Sequence, residues 1–143
     1  MFRNFIRNTQ VLKRSVSTLK PIRTQLAPPP AASYSQAIKV NNLIFVSGQI
    51  PMTPENKPVE GTVSDKAEQV IQNVKNILEA GNSGLENVVK VNIFLADIKD
   101  FGEFNGVYAK YFNTHKPARS CVAVKDLPLG VALEMEAIAV EKD

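Results

Sequence analysis

The chain has 143 residues, 44% of them hydrophobic, the size and composition of one globular domain. No apolar run reaches the roughly 20 residues of a membrane-spanning helix, and a single cysteine, Cys121, with a single histidine, His115, excludes an internal disulfide and an ordinary cluster of zinc ligands. The formal charge of +3 conceals two regions: six of the seventeen basic residues precede residue 24, whereas residues 24–143 carry eleven basic against fourteen acidic groups, which argues against a nucleic-acid surface built on charge.

On a helical projection Arg3, Arg7 and Arg14 fall on one side and Phe2, Phe5, Ile6, Leu12 and Val16 on the other, with Val11 and Lys13 off the pattern. The first acidic residue is Glu55, and Ser15, Ser17 and Thr18 follow the amphipathic run. Residues 1–17 are therefore read as a mitochondrial transit peptide, cleaved between Arg14 and Lys20, that delivers the protein to the matrix. A basic tail or an amphipathic membrane-surface helix is the other reading of this pattern.

Residues 18–33 form a Pro-rich lead-in, where Pro28, Pro29 and Pro30 remove backbone donors and predict a stiff loop. Strands over 34–40 and 43–46 flank Asn41-Asn42, a pair that tolerates positive φ and predicts a tight hairpin. Ser47-Gly48 ends the second strand, and Pro51, Pro54, Asn56, Pro58 and Gly61 make the next stretch a loop. A helix comes next, with Thr62, Ser64 or Asp65 as N-cap, a stripe of Ala67, Val70, Ile71, Val74, Ile77 and Leu78, and Gly81 as its stop. Residues 88–96 read as a central strand with Val89, Val91, Ile93 and Leu95 on one face. A second helix over 98–112 carries Phe101, Phe104, Tyr108, Tyr111 and Phe112 at three- and four-residue steps, with Asn105 on the same surface. Strands over 120–124 and 132–140, parted by a turn at Pro128 and Gly130, complete the order β-β-α-β-α-β-β. That order implies an α+β domain over residues 34–143, a mixed sheet with two crossover helices on one face.

Arg119 is the one Arg among the eleven basic residues from position 24 onward. A planar guanidinium grips a carboxylate through two parallel hydrogen bonds, whereas Lys is a hydrated point charge. Two uses remain open: a structural ion pair with Glu134 or Glu136, or a site for a small carboxylate. Alternation along the last strand puts Leu133, Met135, Ala137 and Ala139 on one face and Glu134, Glu136, Ile138 and Val140 on the other. A carboxyl among apolar neighbours is pushed up toward neutral pH and can carry a proton, unless the two are plain solvent-facing charges. Tyr34, Ser47 and Asn105 offer hydrogen bonds without competing charge, and Ser47-Gly48 can present backbone N–H groups to an anion. Cys121 and His115 suggest a nucleophile and its base, but a thiolate needs a positioned partner, and Cys121 reads better as a shaper of the pocket.

Pro117-Ala118-Arg119-Ser120 followed by Leu133-Glu134-Met135 resembles the signature of the RidA subgroup of the reactive intermediate deaminase (Rid) family. The likeness extends through Tyr34-Ser35-Gln36, Ser47-Gly48-Gln49-Ile50-Pro51, Asn73-Val74-Lys75-Asn76-Ile77 and Glu136-Ala137-Ile138-Ala139-Val140, covering about residues 26–141. With its basic leader the chain is similar to fungal mitochondrial members. The resemblance implies a chorismate-mutase-like fold packed as a homotrimer, with sites in clefts between subunits. It implies hydrolysis of 2-aminoacrylate-type enamines and imines, such as 2-iminobutanoate and 2-iminopropanoate, to 2-oxo acids and ammonia. No metal, organic cofactor or covalent enzyme intermediate is implied. The substrates would come from pyridoxal-phosphate-dependent threonine and serine dehydratases, linking the protein to isoleucine synthesis. In that scheme Arg119 binds the substrate carboxylate, Glu134 positions or protonates the attacking water, and Tyr34, Ser47, Asn105 and Cys121 line the site. Some family members are described as endoribonucleases or translation inhibitors, a reading to which a net-acidic core without a histidine pair lends little. A non-catalytic metabolite binder or chaperone-like factor would use Arg119 equally well.

Overall fold

Thr62 opens the first helix of the computed structural model, which describes residues 18–143; the expected transit peptide at 1–17 lies outside the described residues. The Thr62 hydroxyl accepts the N–H of Asp65 while the Asp65 carboxylate accepts the N–H of Thr62, so two of the helix's free donors are satisfied locally. Helix α1 (Val63–Ala80) then buries Ala67, Val70, Ile71, Val74, Ile77 and Leu78 completely, the stripe that periodicity predicts. Gly81 ends it at φ −92°, a conformation open to any residue. Glycine leaves room there for core side chains, since a Cβ would lie 2.6 Å from Cδ1 of Ile22 and displace it.

Six strands form one sheet: β1 (Lys20–Ile22), β2 (Ala37–Val40), β3 (Leu43–Gln49), β4 (Val88–Leu95), β5 (Ala118–Ala123) and β6 (Leu133–Val140), ordered β1-β2-β3-β6-β4-β5. All neighbours are antiparallel except β4 and β5, whose parallel pairing is made by a crossover through α2 (Phe101–Tyr111). Both helices cover one face, onto which Ile44, Val91, Ile93, Leu95, Leu133, Met135 and Ala139 project and are fully buried. Asn41, at φ 54°, turns the β2–β3 hairpin. This is the α+β architecture expected, with helices on one side and a sheet face left open on the other.

Several local expectations differ. Strand β2 starts at Ala37 and leaves Tyr34 outside it, and β3 runs past Val46 through Ser47-Gly48 to Gln49, with a register shift against β6 over that stretch. The lead-in is not all loop: Lys20–Ile22 pairs with β2, and Ile22 and Ala27 enter the core. Pro21 is tolerated because β1 is an edge strand. The buried Gln36 side chain fastens residues 24–28, accepting from Thr24 N at 2.7 Å and donating to the Pro28 carbonyl at 2.9 Å. On β4 the inward residue is Val88, while Val89 is 43% exposed, because the pairing with β6 shifts between Val88 and Lys90. The second helix begins as a 3-10 turn, Ile98–Asp100, under an Asp97 carboxylate that accepts from Lys99 N, and becomes α-helical at Phe101. Strand β5 starts two residues earlier than predicted, which takes Arg119 inside a strand.

Candidate functional site

Parallel pairing fixes where Arg119 points. Opposite it on β4 is Val91, and opposite Cys121 is Ile93; residues in register share a face, and both partners are fully buried under the helices. Arg119 therefore reaches over α2, where its Nη1 donates to Oδ1 of Asn105 at 2.8 Å. Its guanidinium carbon stands 4.6 Å from the centroid of the Tyr108 ring and 5.7 Å from that of Phe101, two cation–π contacts. Tyr108 in turn stacks on Phe112 at 4.5 Å. One side chain and one aromatic column thus orient the fork while leaving most of its five N–H donors without a partner among the described residues.

No carboxylate pairs with Arg119 among the described residues, so the ion pair with Glu134 or Glu136 is not formed. Arg119 lines a cleft of about 430 Å³ together with Asn105, Tyr108, Phe112, Lys116 and Pro117, and no acidic residue shares that lining. Cys121 sits two residues along the same face, half-buried against the core. Burial pushes its thiol up, only partly opposed by the Arg119 charge, so it stays protonated near neutral pH. The His115 Nε2 is hydrogen-bonded to the carbonyl of Val88 instead of to Cys121, and no cysteine–histidine pair exists.

Glu134 occupies the other side of the sheet. It lies opposite Phe94, and Glu136 opposite Asn92, on the face without helices. The Glu134 carboxyl is raised first by burial and then by the negative charge of Glu136, whose Oε1 accepts from Asn92 Nδ2 at 2.8 Å. Gly48 makes the room: a Cβ there would fall 1.7 Å from Glu134 Oε1. Beside it, the Ser47 hydroxyl donates to the Ser35 carbonyl at 2.6 Å. Tyr34, 49% exposed, accepts from Ala31 N at 3.1 Å and lines a second cleft with Arg23, Pro30 and Ser35.

The candidate residues therefore form two groups within one chain. Arg119, Asn105 and Cys121 meet on the helix side at β5. Glu134, beside Ser47-Gly48, stands on the open side, and β3 is three strand spacings from β5, about 14 Å. Tyr108 and Lys116 also border the cleft, although neither carries a site role in the sequence reading. Tyr108 was discoverable, since it follows Asn105 by three and Phe101 by seven residues and so shares their helix face.

Known proteins resemble the chain over most of its length. Residues 24–141 match the family model described as endoribonuclease L-PSP. The chain is 67% identical over 138 residues to "Protein MMF1, mitochondrial" of Saccharomyces cerevisiae, covering 96% of this chain and 95% of that one. The crystal structure of yeast Mmf1 superposes with a TM-score of 0.86 at 71% identity, covering 87% of this chain and all of that one. "Reactive Intermediate Deaminase A, chloroplastic" of Arabidopsis thaliana is 45% identical over 131 residues, 90% of this chain and 70% of that protein. E. coli TdcF, solved with bound serine, matches at a TM-score of 0.81 and 39% identity, covering 86% of this chain and 99% of that one.

Proposed function

The chain belongs to the endoribonuclease L-PSP (Rid) family, and from that premise we propose that it is a mitochondrial-matrix imine deaminase. It converts 2-iminobutanoate and 2-iminopropanoate, the tautomers of 2-aminoacrylate-type enamines, to 2-oxo acids and ammonia. The observation that carries this reading is Arg119: a guanidinium pre-oriented by Asn105 and two rings, with no protein carboxylate on it, in a cleft without acids. A relative named as a deaminase and another solved with a small amino acid support the substrate class, and the relative named mitochondrial supports the compartment along with the N-terminal charge pattern.

Arg119 holds the substrate carboxylate and thereby fixes the adjacent imine carbon. Water adds to that carbon, and the C–N bond of the resulting tetrahedral adduct breaks as nitrogen takes a proton, leaving a carbonyl and ammonium. Glu134, whose carboxyl is raised toward neutral pH, positions the water and exchanges the proton. Because Arg119 and Glu134 lie on opposite faces of one chain, the working site combines Arg119 of one copy with Glu134 of a neighbour. Exposed Phe45 and Val122 on the open face favour packing of that face in a homotrimer. Tyr34, Ser47 and Cys121 complete the walls. The scheme uses no metal or organic cofactor, and it places the protein downstream of pyridoxal-phosphate-dependent threonine and serine dehydratases, in support of isoleucine synthesis.

The test is ammonia release from imine generated in situ by a dehydratase. Arg119→Lys keeps the charge and loses the fork, so activity falls about 10- to 100-fold, the rate equivalent of a charge-assisted bond worth about 1.5–3 kcal/mol. The melting temperature should stay near wild type. Full activity in a stable Arg119→Lys protein removes the carboxylate-binding role. The family description also names a ribonuclease; with one histidine, engaged with Val88, general acid–base cleavage of RNA has no histidine pair to use.

A further inference from the structure

Arg119 is not the only cation of its cleft. Lys116 lines the same wall, is exposed, and has no acidic partner among the described residues. Pro117 stands between them, with its φ held by the ring and Lys116 biased to extended backbone by the proline after it. Between the two charges the lining is apolar, from Tyr108, Ala109, Phe112 and Pro117. A ligand with one carboxylate satisfies Arg119 and leaves Lys116 facing solvent. A ligand with a second carboxylate two or three carbons further on neutralises both cations and lays its methylenes on the apolar strip.

We propose that Lys116 is a specificity-determining residue that makes this cleft favour four- and five-carbon dicarboxylic 2-imino and 2-oxo acids over monocarboxylates of equal length. The inference rests on the carboxylate-binding reading of Arg119 and extends it to the far end of the substrate. The reaction is unchanged: the iminium carbon takes the oxygen of water, the C–N bond breaks, and ammonium leaves the 2-oxo diacid behind without redox. Dicarboxylic imines come from oxidation of an acidic amino acid, a source additional to the dehydratases that supply the monocarboxylic imines of the proposed function.

Calorimetric titration of the assembled protein with 2-oxoglutarate and with 2-oxopentanoate tests this. At low ionic strength the diacid should bind about two- to fivefold more tightly, the range an exposed ion pair supports, and the difference should shrink at about 0.5 M salt. Lys116→Met, which keeps the stem of an exposed side chain, should abolish the preference and leave 2-oxopentanoate binding unchanged. Equal binding in wild type, or a preference that survives Lys116→Met, overturns the proposal while leaving Arg119 in its role. Failure of both acids to bind, or 2-oxopentanoate binding indifferent to Arg119→Lys, overturns the Arg119 reading and this proposal with it.

Discussion

The helix-side cleft and the open sheet face handle their polar groups in opposite ways. Under α2, Arg119 has a hydrogen bond to its own chain's Asn105 and rings beneath it, so one copy suffices to orient it. On the open face Glu134 has a raised carboxyl, a like-charged neighbour in Glu136 and a glycine in place of a side chain at Gly48. The first region is pre-organised; the second holds a raised carboxyl whose strand neighbours supply no cation. Within one chain the sheet separates the two residues, so the proposed mechanism, which uses both, is a relation between copies.

The comparison breaks most visibly in mixed assemblies. Arg119→Lys and Glu134→Gln proteins, each nearly inactive, should recover about a quarter of wild-type activity when unfolded and refolded together in equal amounts, since random assembly in a threefold ring pairs an intact Arg119 with an intact Glu134 at about one site in four. No recovery, with mixed trimers verified by mass spectrometry, means that the sites are not shared.

Next in size is Gly48→Ala. The added Cβ would collide with the end of the Glu134 side chain, which can swing away. Activity should drop about tenfold or more, as for loss of a proton carrier, with only a small fall in melting temperature. A large loss of stability with normal specific activity would instead make Gly48 purely structural.

The electrostatics of the open face give a smaller, pH-dependent effect. Folding raises the Glu134 carboxyl above its ordinary value of 4.5, so above that pH the folded form retains a proton that the unfolded chain has lost. Stability contributed by this group is therefore present at low pH and declines as pH rises through the folded value. Melting curves across that window should slope downward for wild type and flatten for Glu134→Gln; identical slopes would contradict the assignment.

The smallest change sharpens the helix side. The Tyr108 hydroxyl is buried without a hydrogen-bond partner among the described residues, and burial raises its pKa. Tyr108→Phe keeps the ring under Arg119 and removes that hydroxyl, so stability should hold or rise by up to about 1 kcal/mol, with activity within about twofold of wild type. A clear loss of either would show that the hydroxyl has a partner in the working assembly.

Features that depend on residues a few positions apart could be read from the chain alone. The α1 stripe, the hairpin turn at Asn41-Asn42 and the in–out alternation of β6 are set by contacts at two to four residues' spacing and stand as expected, and of the three candidate N-caps the structure selects Thr62. Arg119 stands out in the sequence by its chemistry, and Glu134 by its place among apolar neighbours. Strand β1 was invisible because it exists only against β2, with Gln36 fastening residues 24–28 beside it. The exchange of Val88 for Val89 comes from a register shift against β6, and the partners of Arg119 come from a parallel crossover through α2. Only the strand order β6-β4-β5, with its pairing register, decided that Arg119 and Glu134 face opposite ways. Alternation assigns faces within a strand, whereas the relation between faces of different strands is a property of long-range hydrogen bonding.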